Sequence, residues 1–528
     1  MSLQMLSSLP RNVVRDPIHG YIWFSEEERK IIDSPHVQRL RMIKQTPGVS
    51  FVYPGAQHSR FSHSLGVMHV AGLYALSALL NEYESHNGVY EIVKRVLAVR
   101  NWDEFLDLRQ KFEVLRDIFD DVQKVRIAGL LHDLGHGPFS HNYEMAVLSE
   151  ERLTHEDLTK KLIFEMKEYL ENFSPNEIVK VLCYSFPGWE RIRDVFMEIL
   201  RKGGLEESKI TEIINEYDRD FPRKCFLGAI IGGPWDADTI DFIARDGYFA
   251  GVKEYSMFDI KRLILSMRKY RYDIIPHERA CYTIVAFIEA RIHMFEAVYY
   301  HRTARAADRM LGCILYYLKR SDTYKDILNF DLRDLTATYL PLTDHFIDAL
   351  LEQEVRRYNI KYSIERLREK RAKIRDENLY KALLFFIRLR NRDLLKVAWP
   401  LTYELPAEIS LSPKEMVIPT LKEKIRQKTL KKLKLKHEPD DLLIIIDSPE
   451  FVPIKRVPYR YTEMGPELKL LTNCGELIPL KKVSPIAERI VEMSYRQFVR
   501  VYTFKEYRKS VYEATEEVFK STRREVSV

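Results

Sequence analysis

A mostly helical core followed by a smaller α+β domain is the fold class the sequence predicts, and three observations predict it. Large apolar residues recur at spacings of three and four through residues 20–395, the period of one helix face. Prolines then gather at Pro400, Pro406, Pro413 and Pro419, where they disfavour continuous helix. Past them come short, β-branched runs closed by turn residues. The boundary is therefore drawn after Trp399, giving 1–399 and 400–528, within the range of roughly two to four domains that the length allows.

The elements follow in order. "SLGVMHVAGLYALSALLNEY" (Ser64 to Tyr83), "EFLDLRQKFEVLRDIF" and "KVRIAGLLHDLG" carry the helical period. Gly135, Gly137 and Pro138 should end the last of these helices at His132–Asp133 and start another near Pro138. The apolar stretch from Tyr282 to Leu318 reads as one long helical segment central to the core. In the C-terminal part, "DLLIIIDSPEF", "VPYRYTEM" and "LKLLTNCGELIPL" read as strands, and "RKSVYEATEEVFKS" as a closing helix.

Composition narrows the class. The chain is 46% hydrophobic and 30% charged, ordinary for a globular protein with a sizeable core. Its 83 basic and 77 acidic residues leave +6, too balanced to argue for a polyanionic partner by itself. Cys183, Cys225, Cys281, Cys313 and Cys474 form no C-x-x-C pair. They read as small buried hydrophobes in a reduced, cytoplasmic setting rather than a disulfide framework or zinc finger. "MSLQMLSSLPRN" lacks the apolar stretch of a signal peptide, and no unbroken run approaches roughly 18 apolar residues, so no membrane partner is expected. No phosphate-binding G-x-x-x-x-G-K-[ST] loop occurs. "LKEKIRQKTLKKLKLKHE" (Leu421 to Glu438) is strongly basic. It reads as a solvated helix with Leu421, Ile425 and Leu433 turned inward, or as a nucleic-acid surface, although it lacks interleaved aromatics.

The chemistry concentrates in "LLHDLGHGPFSH", Leu130 to His141. A His-Asp pair at a helix end commonly serves as a cap and ion pair. Other segments supply more of the same donors: His63 near the start of a long apolar helix, and Asp236, Asp238, Asp241 and Asp246 in "GPWDADTIDFIARD". Two imidazoles and two carboxylates suit a first-row divalent metal with open positions for water. Such an ion acidifies bound water and polarises a phosphoryl oxygen. His58 and His69 read as structural or surface residues, and Asp236 and Asp241 as hydrogen-bonding or ion-pairing groups, Asp241 standing four residues before Arg245. Gly55, Gly66 and Gly135 read as turn and close-packing positions, and Phe139 and Tyr143 as walls or core.

"RFSHSLGV", "HDLGHGPFSH" and "DADTIDFIARD" together resemble the H…HD…D signature of the HD-domain phosphohydrolases. "RDPIHGYI", "QRLRMIKQ", "VYPGAQHSRFSHSLGV", "LTHE" and "YYHRTARAAD" resemble the deoxynucleoside triphosphate triphosphohydrolase branch, over about Val13 to Phe519. That branch includes the sterile-alpha-motif-and-HD-domain protein of animals; no sterile-alpha-motif segment is expected ahead of the match.

The resemblance implies a metal centre of His63, His132, Asp133 and Asp238, holding Mg, Mn, Fe, Co, Ni or Zn. It implies cleavage of a dNTP between the 5′-oxygen and the α-phosphate, releasing a deoxynucleoside and triphosphate. His136 would contact phosphate, His141 would protonate the leaving oxygen or hold the phosphate, and His155 would act with the acid Glu144. Arg60 and Arg291 would grip the triphosphate, Gln45 and Asp246 would read the 3′-hydroxyl, and Tyr299 would stack under the sugar. Asp33, Gln38 and Arg41 match a guanine-reading activator site, and Asp259, Arg262, Arg392 and Lys396 a second regulatory nucleotide between subunits. GTP or a dNTP as activator and a homodimer or homotetramer follow from that match. Thr239 stands where the animal relative has lysine, and Phe242 where it has a phosphate-contacting tyrosine. Both departures keep open a phosphohydrolase for another nucleotide ester (monophosphate, cyclic or signalling); a non-catalytic protein that binds nucleotide or nucleic acid is the second alternative, against which the complete ligand set argues.

Overall fold

The computed structural model describes residues 12–80, 113–184, 189–270, 273–404, 414–434, 439, 441–449, 468–484 and 496–526. Helix dominates, as the periodicity predicts. Among the described residues the strands form small antiparallel groups: β1 (Val13–Asp16) with β2 (Gly20–Trp23), β3 (Met267–Tyr270) with β4 (Asp273–Pro276), a sheet of β5 (Lys396–Glu404), β9 (Arg496–Thr503) and β6 (Ile445–Asp447), and the hairpin β7 (Lys469–Leu471) with β8 (Leu477–Pro479). In the three-stranded sheet β9 lies in the middle.

The core is built round the helix Arg60–Leu80, which is buried on nearly every face. Composition alone would let this helix cross a bilayer, but 89% of its apolar window lies inside the fold, where a core helix belongs. It packs along Glu113–Leu131, and one continuous apolar cluster then runs from Ile22 to Phe504. Each large aliphatic side chain buried there contributes about 1.5–3 kcal/mol. None of the five cysteines, all of them described, forms a disulfide.

Two local expectations are corrected. The helix entering the His-Asp motif stops at Leu131, and the next begins at His141 rather than near Pro138. The intervening Phe139 and Ser140 have φ of 58° and 59°, a backbone setting that a right-handed helix cannot pass through. The stretch Tyr282 to Leu318 is not one helix. Cys281–His293 continues as a π-helical turn over Met294–Tyr299, then breaks before Arg302–Arg320, which His301 caps through its ring nitrogen to the Thr303 N–H. π-Turns of this kind are common at functional sites, and this one carries Tyr299.

The C-terminal elements agree with the strand pattern at "DLLIIIDSPEF" and "LKLLTNCGELIPL", where Gly475 turns the hairpin at φ 79°, and with the closing helix Arg508–Val526. "VPYRYTEM" lies outside the described residues. β5 begins at Lys396, so the first strand of the sheet straddles position 400. The helices Lys414–Leu433 and Arg508–Val526 cover this sheet over a second small core that includes Ile425, Val501, Val511 and Val518. In the basic run, Ile425 is fully buried, while Lys428 and Lys432 pair with Glu517 at 3.3 and 2.7 Å. The sheet is tied to the helical core by Asp447, whose carboxylate is 2.6 Å from both Arg305 and Arg309.

Candidate metal centre and its surroundings

Three elements converge. The Arg60–Leu80 helix carries His63, the turn after Leu131 carries His132 and Asp133, and the helix Ala237–Ala250 carries Asp238 in its first turn. Asp236 caps that last helix by accepting the Thr239 N–H at 2.6 Å. His63 Nε2 lies 3.1 Å from Asp238 Oδ1 and 3.7 Å from Asp133 Oδ2, and His132 Nε2 lies 3.3 Å from Asp133 Oδ1 and 3.8 Å from Asp238 Oδ1. One donor atom each from His63, His132 and Asp238 falls within a 4.8 Å cluster, with Asp133 at its edge.

The imidazoles are oriented from behind. His132 Nδ1 is 2.8 Å from the Gly129 carbonyl, which can only accept, so the proton sits on Nδ1. Its Nε2 is buried and has no hydrogen-bond partner. His63 Nδ1 likewise donates to Asp241 Oδ2 at 2.8 Å. Burial opposes the charge on Asp241, but Arg245, His19 and His63 outweigh it and hold its carboxyl well below the usual range. For His63 too, burial disfavours charge, yet hydrogen bonds to Asp238 and Asp241 push its pKa up to about 10. The position thus favours positive charge strongly. A carboxylate behind a ligating histidine is the common support of a metal site, and two imidazole nitrogens with carboxylate oxygens fit a divalent first-row ion. Gly66 is required here: a Cβ would stand 1.9 Å from Asp241 Oδ1.

Beside this centre lies a second cluster. His136 stacks on His155 with ring centroids 3.8 Å apart, and His141 meets both edge-on. Glu144 Oε2 accepts from His155 Nδ1 at 2.7 Å and faces His141 Nδ1 at 3.2 Å. Burial lowers the pKa of His155, but Glu144 outweighs it and the net shift is upward. Burial and the neighbouring Arg60 push His136 well below its ordinary value. The pair of stacked rings is therefore split into a neutral and a readily charged imidazole, an arrangement suited to moving a proton.

The residues expected to hold substrate are placed as follows. Arg60 is buried, with Nη1 2.5 Å from Asp133 Oδ2 and Nε donating to Ser140 Oγ at 2.8 Å. Asp246 is held between His58 Nε2 at 2.7 Å and the Tyr299 hydroxyl at 2.6 Å. Gln45 donates its backbone N–H to the His58 carbonyl, and its side-chain Oε1 is buried without a partner. Arg291 reaches Thr239 Oγ1 at 3.4 Å and lies over Phe295, while the Phe242 ring is 6.1 Å from that of Tyr299. A cavity of about 150 Å³ opens on the centre, lined by His132, Asp133, His155, Lys160 and Asp238 among others.

Of the residues matched to regulation, Gln38 and Arg41 come together at 2.8 Å with Asp33 exposed nearby on the preceding helix end. Asp259 caps the helix that carries Arg262, and Arg262 donates to the Arg279 carbonyl. Arg392 donates to the Phe51 carbonyl at 3.1 Å, and Lys396 opens β5.

Sequence reasoning missed the bracing of the motif. Arg39 is buried and donates to the carbonyls of Leu134, His136, Leu340 and Leu342. The Tyr339 hydroxyl donates to Gly135 O at 2.7 Å. Asp344 accepts the N–H of Phe139 at 2.6 Å and of Lys44 at 3.0 Å, and burial raises its pKa to about 6. Ser140 Oγ closes the ring by donating to the Lys44 carbonyl. His19 was missed as well, 2.6 Å from Asp241. The His58, Asp236 and Asp241 side chains do form hydrogen bonds and ion pairs, and the Asp241–Arg245 pair joins at 2.8 Å.

With this geometry in view, the comparisons with known proteins are consistent. Residues 60–220 match the HD domain. The chain is 30% identical over 341 residues to the uncharacterised protein MJ1154 of Methanocaldococcus jannaschii, covering 63% of this chain and 56% of that one. It is 27% identical over 523 residues to the deoxynucleoside triphosphate triphosphohydrolase SAMHD1 of Homo sapiens, covering 95% and 72%. It spans little more than half the length of MJ1154 and of the similar Bacillus subtilis protein YwfO. A crystal structure of a hypothetical protein from Aquifex aeolicus shares the fold, with TM-score 0.58 and 23% identity over 95% of this chain and 99% of that one. A phosphohydrolase from Bacteroides thetaiotaomicron does so at 0.56 and 19%, over 93% and 99%. The chain thus carries an HD domain within a helical core whose fold it shares with these two solved structures, and it resembles the SAMHD1 deoxynucleoside triphosphate triphosphohydrolases.

Proposed function

We propose that this chain is a metal-dependent phosphohydrolase that adds water across the 5′-oxygen to α-phosphorus bond of a dNTP, releasing a deoxynucleoside and inorganic triphosphate. The observation that carries this reading is the convergence of His63, His132 and Asp238 with both Nδ1 atoms tied back and both Nε2 atoms facing the same point. A divalent ion held by these residues and Asp133 would acidify water and polarise the phosphate. His141 and His155, poised by Glu144, would deliver the proton that the leaving 5′-oxygen needs. Arg60 and Arg291 would offset phosphate charge, and Tyr299 and Asp246 would seat the sugar. The likeness to SAMHD1 supports the same substrate class. On this reading Asp33, Gln38 and Arg41 would take an activator such as GTP, and Asp259, Arg262, Arg392 and Lys396 a second nucleotide in a dimer or tetramer.

A second reading, a smaller phosphate ester as substrate, is favoured by two observations. The cavity on the centre is about 150 Å³, below the several hundred Å³ of a typical ligand pocket. Thr239 and Phe242 also supply neither cation nor phenol.

The test is incubation with each dNTP and Mg or Mn, with and without GTP, products being resolved by chromatography. Deoxynucleoside and triphosphate in equal amounts are expected. His132→Ala and Asp238→Ala should each lower turnover by about a thousandfold or more, the scale of losing electrostatic stabilisation at the reacting phosphate. Full turnover in either variant refutes the centre; release of only monophosphate from smaller esters selects the second reading.

A further inference from the structure

We infer that a cleft in the C-terminal region, separate from the metal centre, is a binding site for a small oligophosphate anion. It lies between the start of the Arg302–Arg320 helix, the β5 and β9 strands and the start of the Arg508–Val526 helix, with a volume of about 780 Å³. That falls within the range of small-molecule pockets, roughly 300–1,000 Å³. Arg302, Arg500, Lys505, Arg508 and Lys509 line it, and among the described residues no acidic side chain does.

The acids nearest in sequence and register are committed elsewhere. Glu506, inside the run "RVYTFKEYRK", is 3.0 Å from Arg388. Asp447, paired in register with Arg500, is taken by Arg305 and Arg309. The basic helix Lys414–Leu433 shows the contrast: there Lys428 and Lys432 meet Glu513 and Glu517. Backbone bonds fix two of the cleft's guanidinium groups, Arg508 Nε to the Val397 carbonyl at 3.0 Å and Arg500 Nη1 to the Tyr300 carbonyl at 2.5 Å.

Five cations round one concavity repel each other and focus a positive field into it. A single carboxylate would offset only a fraction of that charge. Adjacent phosphates match it, and guanidinium groups can bind them through paired hydrogen bonds. Tyr512, half exposed on the wall, offers a ring face to a base if the phosphates belong to a nucleotide. None of these residues belongs to the centre, so the inference does not depend on which ester the enzyme cleaves.

The test is titration calorimetry of the full chain in EDTA, with inorganic triphosphate and, separately, ATP. The wild type is compared with Lys505→Glu/Lys509→Glu, and Lys428→Glu serves as a control lysine reversed outside the cleft. Both substituted lysines of the double variant are exposed, and circular dichroism checks that it folds. Wild type and control should bind triphosphate alike, and the double variant at least about tenfold more weakly, with the difference fading in high salt. ATP binding tighter than triphosphate, the gain vanishing in Tyr512→Ala, would assign a nucleotide; equal binding would assign the bare oligophosphate. Equal triphosphate affinity in wild type and double variant overturns the site. So does binding of a single-stranded DNA oligonucleotide with neither small ligand bound.

Discussion

Glu144 decides the protonation of His155. Its carboxylate is half-buried, accepts from two imidazoles and, despite burial, is held well below the ordinary range by them. Because its charge is what raises His155, the neutral amide in Glu144→Gln should let burial win, and the His155 pKa should fall. If protonated His155 is required, the alkaline limb of the kcat/KM profile moves to lower pH, by on the order of one unit. A profile that falls in amplitude without moving its alkaline limb would remove Glu144 from that role. At this scale the sequence was informative where a residue type carries its own chemistry. His63, His132, Asp133 and Asp238 are legible as donors. Arg39 and Asp344 are not, since arginine and aspartate are everywhere in the chain and their partners are backbone groups far away in sequence.

Between elements, Asp241 is the joint. It sits on the Ala237–Ala250 helix and holds His63 of the Arg60–Leu80 helix, while Arg245 and His19 hold it. Asp241→Asn keeps the volume but removes the charge and one acceptor. His63 is then free to change tautomer, and metal affinity should fall about 10–100-fold, as for other carboxylates behind ligating histidines. Competition with a chelating dye measures this; unchanged affinity would make Asp241 a packing residue only. The helices themselves were legible because their apolar period reports burial. The breaks were not. Phe139 and Ser140 take positive φ because Asp344 and Arg60 hold them there, and the chain leaves the helical path at Tyr300–His301 after a π-turn. Neither cause is local.

For the molecule as a whole, Asp447 secures the C-terminal sheet to the helical core. Its carboxylate is buried, but Arg305 and Arg309 retain some access to water. Asp447→Ala should therefore cost about 2–3 kcal/mol, short of a fully buried pair. A lower urea midpoint and faster proteolysis within the C-terminal region would report it; an unchanged midpoint would show that β9 packing alone suffices. The division into a helical part and a mixed part could be read from composition. The mode of attachment could not, because it rests on side chains that meet across more than a hundred residues of chain. Arg39 extends this to the order of events in folding. Its guanidinium joins carbonyls 95 and 303 residues away, and it cannot leave water until both are in place. Closing loops of that length is slow. The turn that presents His136 and His141 should therefore take its final shape late, after distant parts of the helical bundle have met. A nascent chain emerging from the ribosome would hold this turn in its native shape only once residues past Leu342 have been made.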